Sequence, residues 1–99
     1  MFKSVKRVAE ENQRVEYYID PSDTYEDFEY LIEFIQKEYG PLFYKGRQGV
    51  GMNTFQVKID GMDIVFYQLN EIGCRFYSKD GKEYPILKKI ADKLSKKKR

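Results

Sequence analysis

The stretch from Asn53 to Ser78 limits the possible folds of this chain more than any other. Phe55, Val57 and Ile59 alternate with Thr54, Gln56 and Lys58, the period of a strand with one face on a core. Asp60-Gly61 then supplies the pair of φ > 0 positions that a tight two-residue hairpin turn demands. Folding back about that turn sets Met62 opposite Ile59, Ile64 opposite Val57 and Phe66 opposite Phe55, all on one face. A third strand is expected from about Ile72 to Ser78, after a turn around Asn70 to Gly73. Cys74 and Phe76 continue its core face, and Arg75 and Tyr77 point the other way.

The flanking segments add helices. Asp23 and Glu26 are spaced as a capping box, and a helix is expected from about Thr24 to Tyr39. Its apolar stripe is Phe28, Leu31, Ile32, Ile35 and Tyr39, extended upstream by Tyr25 and widened by Tyr30 and Phe34. Gly40 is the expected left-handed cap residue, and Pro41 prevents continuation. Near the C-terminus Asp80-Gly81 is a second hairpin signal, yet the period then turns helical. Pro85 suits a first turn, and Ile86, Leu87, Ile90 and Leu94 follow at helical spacing with Ala91 between them. Arg14 to Ile19 alternates as a strand with Val15, Tyr17 and Ile19 on one face, and Leu42 to Tyr44 begin a short extended segment. Lys3 to Ala9 fits an edge strand, a helical turn or a frayed end equally well.

These elements predict an α+β fold, an antiparallel β-meander with two amphipathic helices packed on one face in a two-layer sandwich. Ninety-nine residues suit one domain, 1–99, with a frayed basic tail at about 95–99. Nine tyrosines and seven phenylalanines compensate for a modest 41% hydrophobic content and argue against general disorder. No apolar run approaches the roughly 20 residues of a membrane span. The N-terminus turns polar before a signal-peptide core can develop. Cys74 is the one cysteine, so no internal disulfide forms and a cytoplasmic setting is expected.

The net charge of +2 conceals a division. Residues 1–40 carry five basic and ten acidic side chains, and residues 41–99 carry thirteen and six. The first helix is therefore acidic and the second basic. If they are neighbours, their faces partly neutralise each other. Otherwise the acidic face is free to meet a basic partner.

The sheet face away from the helices would display Gln56, Lys58, Val65, Tyr67, Leu69, Arg75 and Tyr77. Its aromatic residues are covered by the N-terminal strand, a loop or an edge contact, shared in a homodimer, or used to bind another protein. With protein binding, Tyr67, Tyr77 and Arg75 on the sheet, Arg47 in the glycine loop, and Glu29 and Glu33 on the helix carry the contact. The rival reading is a small nucleic-acid-binding protein. There the same sheet supplies Lys45, Arg47, Lys58 and Arg75, and the tail adds Lys96, Lys97, Lys98 and Arg99. Sixteen acidic residues oppose it. The loop Gly46 to Gly51 lacks the spacing and the following Lys and Ser/Thr of a phosphate-binding loop, and is expected to be an inter-strand loop or bulge.

Catalysis is not expected. The chain has no histidine, so the commonest near-neutral acid/base is missing, and neither Cys74 nor any serine has a recognisable activating base. No metal or cofactor set is spaced for binding. A non-catalytic cytoplasmic adaptor, inhibitor or regulatory domain is the leading expectation.

Overall fold

The computed structural model describes residues 4–9, 14–47, 51–69 and 72–96, with the backbone alone for Ala9, Arg47 and Lys96. In chain order they form β1 (Ser4–Ala9), β2 (Val15–Asp20), α1 (Tyr25–Tyr39), β3 (Tyr44–Arg47), β4 (Met52–Ile59), β5 (Met62–Leu69), β6 (Gly73–Ser78) and α2 (Pro85–Lys96). The fold is α+β, as the periodicities predict.

Asp60 and Gly61 take φ values of 52° and 79°, the left-handed pair a two-residue hairpin uses. β4 and β5 pair with Ile59 opposite Met62, Val57 opposite Ile64 and Phe55 opposite Phe66, in the expected register. The six strands lie in the order β1-β2-β6-β5-β4-β3, and every neighbouring pair is antiparallel. The meander therefore has four strands, because Gly46 and Arg47, expected in the glycine loop, pair with Thr54 and Asn53.

The crossover follows from lengths. β2 and β3 are four strand spacings apart, about 19 Å. A helix of 15 residues spans about 22 Å, enough to carry the chain from β2 to the far edge. The strands then walk back until β6 meets β2.

Both helices share one core with the inner side chains of the sheet. α1 contributes Phe28, Leu31, Ile32, Phe34 and Ile35, and α2 contributes Ile86, Leu87, Ile90, Ala91 and Leu94. A line of rings crosses the inner face. Phe55 and Phe66 stack at 4.6 Å, Phe66 and Phe76 at 5.1 Å, and Phe76 and Tyr17 at 5.3 Å. Phe28 of α1 meets Phe55 edge-on at 5.5 Å. Such contacts add about 0.5–1.5 kcal/mol each beyond simple burial.

Some local expectations shift. The helix begins at Tyr25, so the capping box is Thr24 with Asp27, one residue beyond Asp23 and Glu26. Thr24 has the extended backbone of an N-cap, and its Oγ1 accepts from Asp27 N–H at 3.0 Å. Starting there puts Tyr25 in the first turn, where it is 55% exposed and outside the core stripe. Gly40 has positive φ (112°) but an extended ψ of −177°, so the chain leaves α1 straight toward β3 instead of through a left-handed helical cap. Asp80-Gly81 forms a turn that leads into α2 and closes no hairpin.

A buried polar knot fixes the start of α1 against the sheet. The Gln68 amide is fully buried and donates to Ser22 O (2.9 Å) and Thr24 O (2.6 Å). Ser22 Oγ donates to Ile19 O and accepts from Cys74 N–H, both at 2.6 Å. Each group would cost about 1–3 kcal/mol if buried without these partners. No described helix is long and apolar enough to cross a membrane.

Candidate binding face

The register lays side chains across the outer face, the one away from the helices, in rows. One row runs Lys6, Tyr18, Arg75, Tyr67, Thr54 and Gly46 across all six strands. In the next row Tyr77 lies opposite Val65, Val65 opposite Gln56, and Gln56 opposite Tyr44. Glu16 of β2, opposite Val8 of β1, stands on the same face.

Glu16 organises this surface. Its side chain has no solvent exposure, an expensive position for a carboxylate without partners. Tyr67 donates its hydroxyl to Glu16 Oε1 at 2.8 Å, and Arg75 Nη1 donates to the same oxygen at 3.3 Å. Arg14 Nη2 pairs with Oε2 at 2.5 Å. The Arg14 guanidinium also lies 4.1 Å over the Tyr77 ring, and Tyr77 meets Tyr67 edge-on at 5.9 Å. The Tyr67 and Arg75 bonds to this carboxylate are charge-assisted, about twice as strong as neutral ones, and Arg14 adds an ion pair and a ring contact. Burial pushes the Tyr67 phenol above its ordinary value, and donation to Glu16 pushes it further. The phenol therefore stays a donor at neutral pH.

The arginines remain partly in water, with side-chain exposures of 35% for Arg14 and 30% for Arg75. Val65 and Thr54 are buried beneath their neighbours. Thr54 faces Gly46, where an added Cβ would strike the Tyr44 ring. The result is a surface of partly exposed Tyr and Arg side chains over a buried carboxylate. β1 pairs beside β2 at the edge of the sheet, so the N-terminal strand is not the cover of this face.

Three of the expected protein-contact residues, Tyr67, Tyr77 and Arg75, come together here. The others do not join them. Glu29 and Glu33 belong to α1 on the opposite side of the sheet, where Glu29 pairs with Lys45 at 3.6 Å. Arg47 stands opposite Asn53 in β3, with its side chain outside the described residues.

The cations of the nucleic-acid reading are equally divided. Lys45 is on the helix side, and Lys58 pairs with Asp63 at 2.7 Å on the outer face. Arg75 is bound to Glu16. Lys96 ends α2, and Lys97, Lys98 and Arg99 lie outside the described residues. The two helices touch electrostatically through Lys93 and Glu38 at 3.1 Å, an exposed pair that water screens.

Glu16 and Arg14 are the residues that sequence reasoning missed. A glutamate alternating with Val15 and Tyr17 reads as solvent-exposed, and only the pairing of β2 with β6 brings Arg75 to it. Cys74 is fully buried, and burial pushes its thiol up, which suits packing and disfavours the reactive thiolate. The described residues contain no cluster of potential metal ligands. Comparisons of the chain with protein-family models, with curated proteins and with solved structures yield no match.

Proposed function

We propose that this chain is a non-catalytic, cytoplasmic protein-binding domain, of adaptor or inhibitor type, that recognises its partner with the outer sheet face. The supporting observation is the Glu16 clamp, which holds Arg14, Arg75, Tyr67 and Tyr77 together on the one sheet surface without a helix. Tyr and Arg are the side chains that most often dominate protein interfaces. Holding them in place before contact reduces the entropy lost on binding. The lone, buried Cys74 thiol is compatible with the cytoplasm.

The partner proposed is a different protein, and a particle of twice the chain's mass would instead assign this face to a second copy. Nucleic acid fits less well, because the cations assigned to it are split between two sheet faces and several are paired to carboxylates.

The test is the mass of the native particle recovered from cell extract at moderate salt, with and without nuclease. A nuclease-resistant complex containing one stoichiometric protein supports the proposal. Collapse of the particle on nuclease treatment overturns it in favour of nucleic acid.

A further inference from the structure

The binding face continues past Arg14 into a groove. The stem of Arg14 lies against the turn after β6, where a Cβ on Gly81 would stand 3.4 Å from Arg14 Cγ. Val15 N–H also bonds Gly81 O at 3.0 Å. Beyond this contact is a groove of about 520 Å³ lined by Arg14, Val15 and the Lys79–Glu83 turn. Its two carboxylates are already engaged. Asp80 Oδ1 accepts from Ser78 Oγ (2.9 Å) and Lys82 N–H (3.0 Å), and Oδ2 accepts from the Tyr84 hydroxyl. Glu83 takes Arg7 Nη2 at 3.0 Å and the Tyr17 hydroxyl at 3.1 Å. Lys79 and Lys82, in contrast, are exposed and form no ion pair among the described residues. Lys79 follows Tyr77 by two positions, about 7 Å along the strand direction.

We propose that this groove receives an acidic segment of the protein partner, whose carboxylates meet Lys79 and Lys82 while adjoining apolar side chains pack on Tyr67 and Tyr77. The inference rests on the function proposed above and adds the chemistry of the partner: a short apolar stretch followed directly by acidic residues. Charge complementarity carries it: Glu83 is matched by Arg7, and Lys79 and Lys82 outnumber the remaining acid, Asp80, which bonds only uncharged donors.

The test uses the full chain and three labelled probes followed by fluorescence anisotropy. One is a peptide of two leucines followed by four glutamates. The second replaces the glutamates by glutamines, and the third is a single-stranded DNA oligonucleotide. The expected result is that Lys79→Glu with Lys82→Glu weakens the acidic peptide about tenfold or more, leaves the glutamine peptide unchanged, and leaves the circular dichroism spectrum intact. Tyr77→Ala should weaken both peptides. Loss of affinity in Tyr77→Ala with none in the charge-reversed variant overturns the groove and leaves the face reading standing. No effect of Tyr77→Ala overturns both. Tighter binding of the oligonucleotide, or no binding of the acidic peptide at millimolar concentration, also overturns the groove assignment.

Discussion

The same four central strands present two faces built on opposite principles. On the inner face Phe55, Phe66 and Phe76 are wholly buried and touch rings and aliphatic chains. On the outer face the fully buried group is a carboxylate, Glu16, held by two arginines and a tyrosine. Apolar packing is non-directional and tolerates exchange of one hydrophobe for another of similar volume. The Glu16 clamp is directional, and such buried charge networks are weak contributors to net stability. The inner face therefore accounts for the fold, and the outer face for a fixed arrangement of recognising groups.

Substitutions can break or sharpen that contrast. The largest effect is expected from Phe66→Ala, which removes the ring between Phe55 and Phe76. It should cost about 3–5 kcal/mol in urea denaturation, a large share of the roughly 5–15 kcal/mol typical of a domain. A loss under about 1 kcal/mol would mean that the ring line is not the core. Glu16→Ala should cost about 1–3 kcal/mol by leaving Arg14, Arg75 and Tyr67 without their shared acceptor. Adding Arg75→Ala should then recover part of the loss, and strict additivity of the two changes would deny the coupling.

Tyr67→Phe should cost about 0.5–1.5 kcal/mol and alter the alkaline limb. The folded phenol titrates above the ordinary tyrosine value of 10.0, so above that pH the unfolded chain loses its proton first. Stability is then level below about pH 10 and falls above it. Tyr17 and Tyr39 are shifted the same way by burial, so the phenylalanine variant should make the fall shallower without abolishing it. Urea midpoints between about pH 8 and 11 measure this. The smallest effect is expected from Lys93→Ala, whose urea midpoint should match the parent's, since its bond to Glu38 is exposed and screened by water.

What the sequence discloses about this fold follows the range of the interactions. The β4–β5 register was legible because Asp60-Gly61 and the alternation on either side are local and agree. The outward placement of Tyr67, Tyr77 and Arg75 followed from the same alternation. β1 was ambiguous because Arg7 occupies the same face as Val5, and its reason for being there is Glu83, 76 residues away. The clamp was hidden for the same reason: Glu16 and Arg75 are 59 residues apart. The capping box slipped by one because Asp23, Thr24, Glu26 and Asp27 offer two frames, and the buried Gln68 bonds to Ser22 and Thr24 accompany the later one.

The most direct measurement compares Tyr77→Ala with Glu33→Gln for both urea stability and the mass of the nuclease-treated native particle. Tyr77 lies on the proposed binding face, and Glu33 on the exposed side of α1. The account predicts that Glu33→Gln stays within about 0.5 kcal/mol of the parent and Tyr77→Ala, which loses its contacts with Arg14 and Tyr67, within about 2 kcal/mol, that Tyr77→Ala falls to the mass of the free chain, and that Glu33→Gln keeps its complex. A Tyr77→Ala particle of unchanged mass, or a complex lost only in Glu33→Gln, would contradict it and move recognition to the acidic helix.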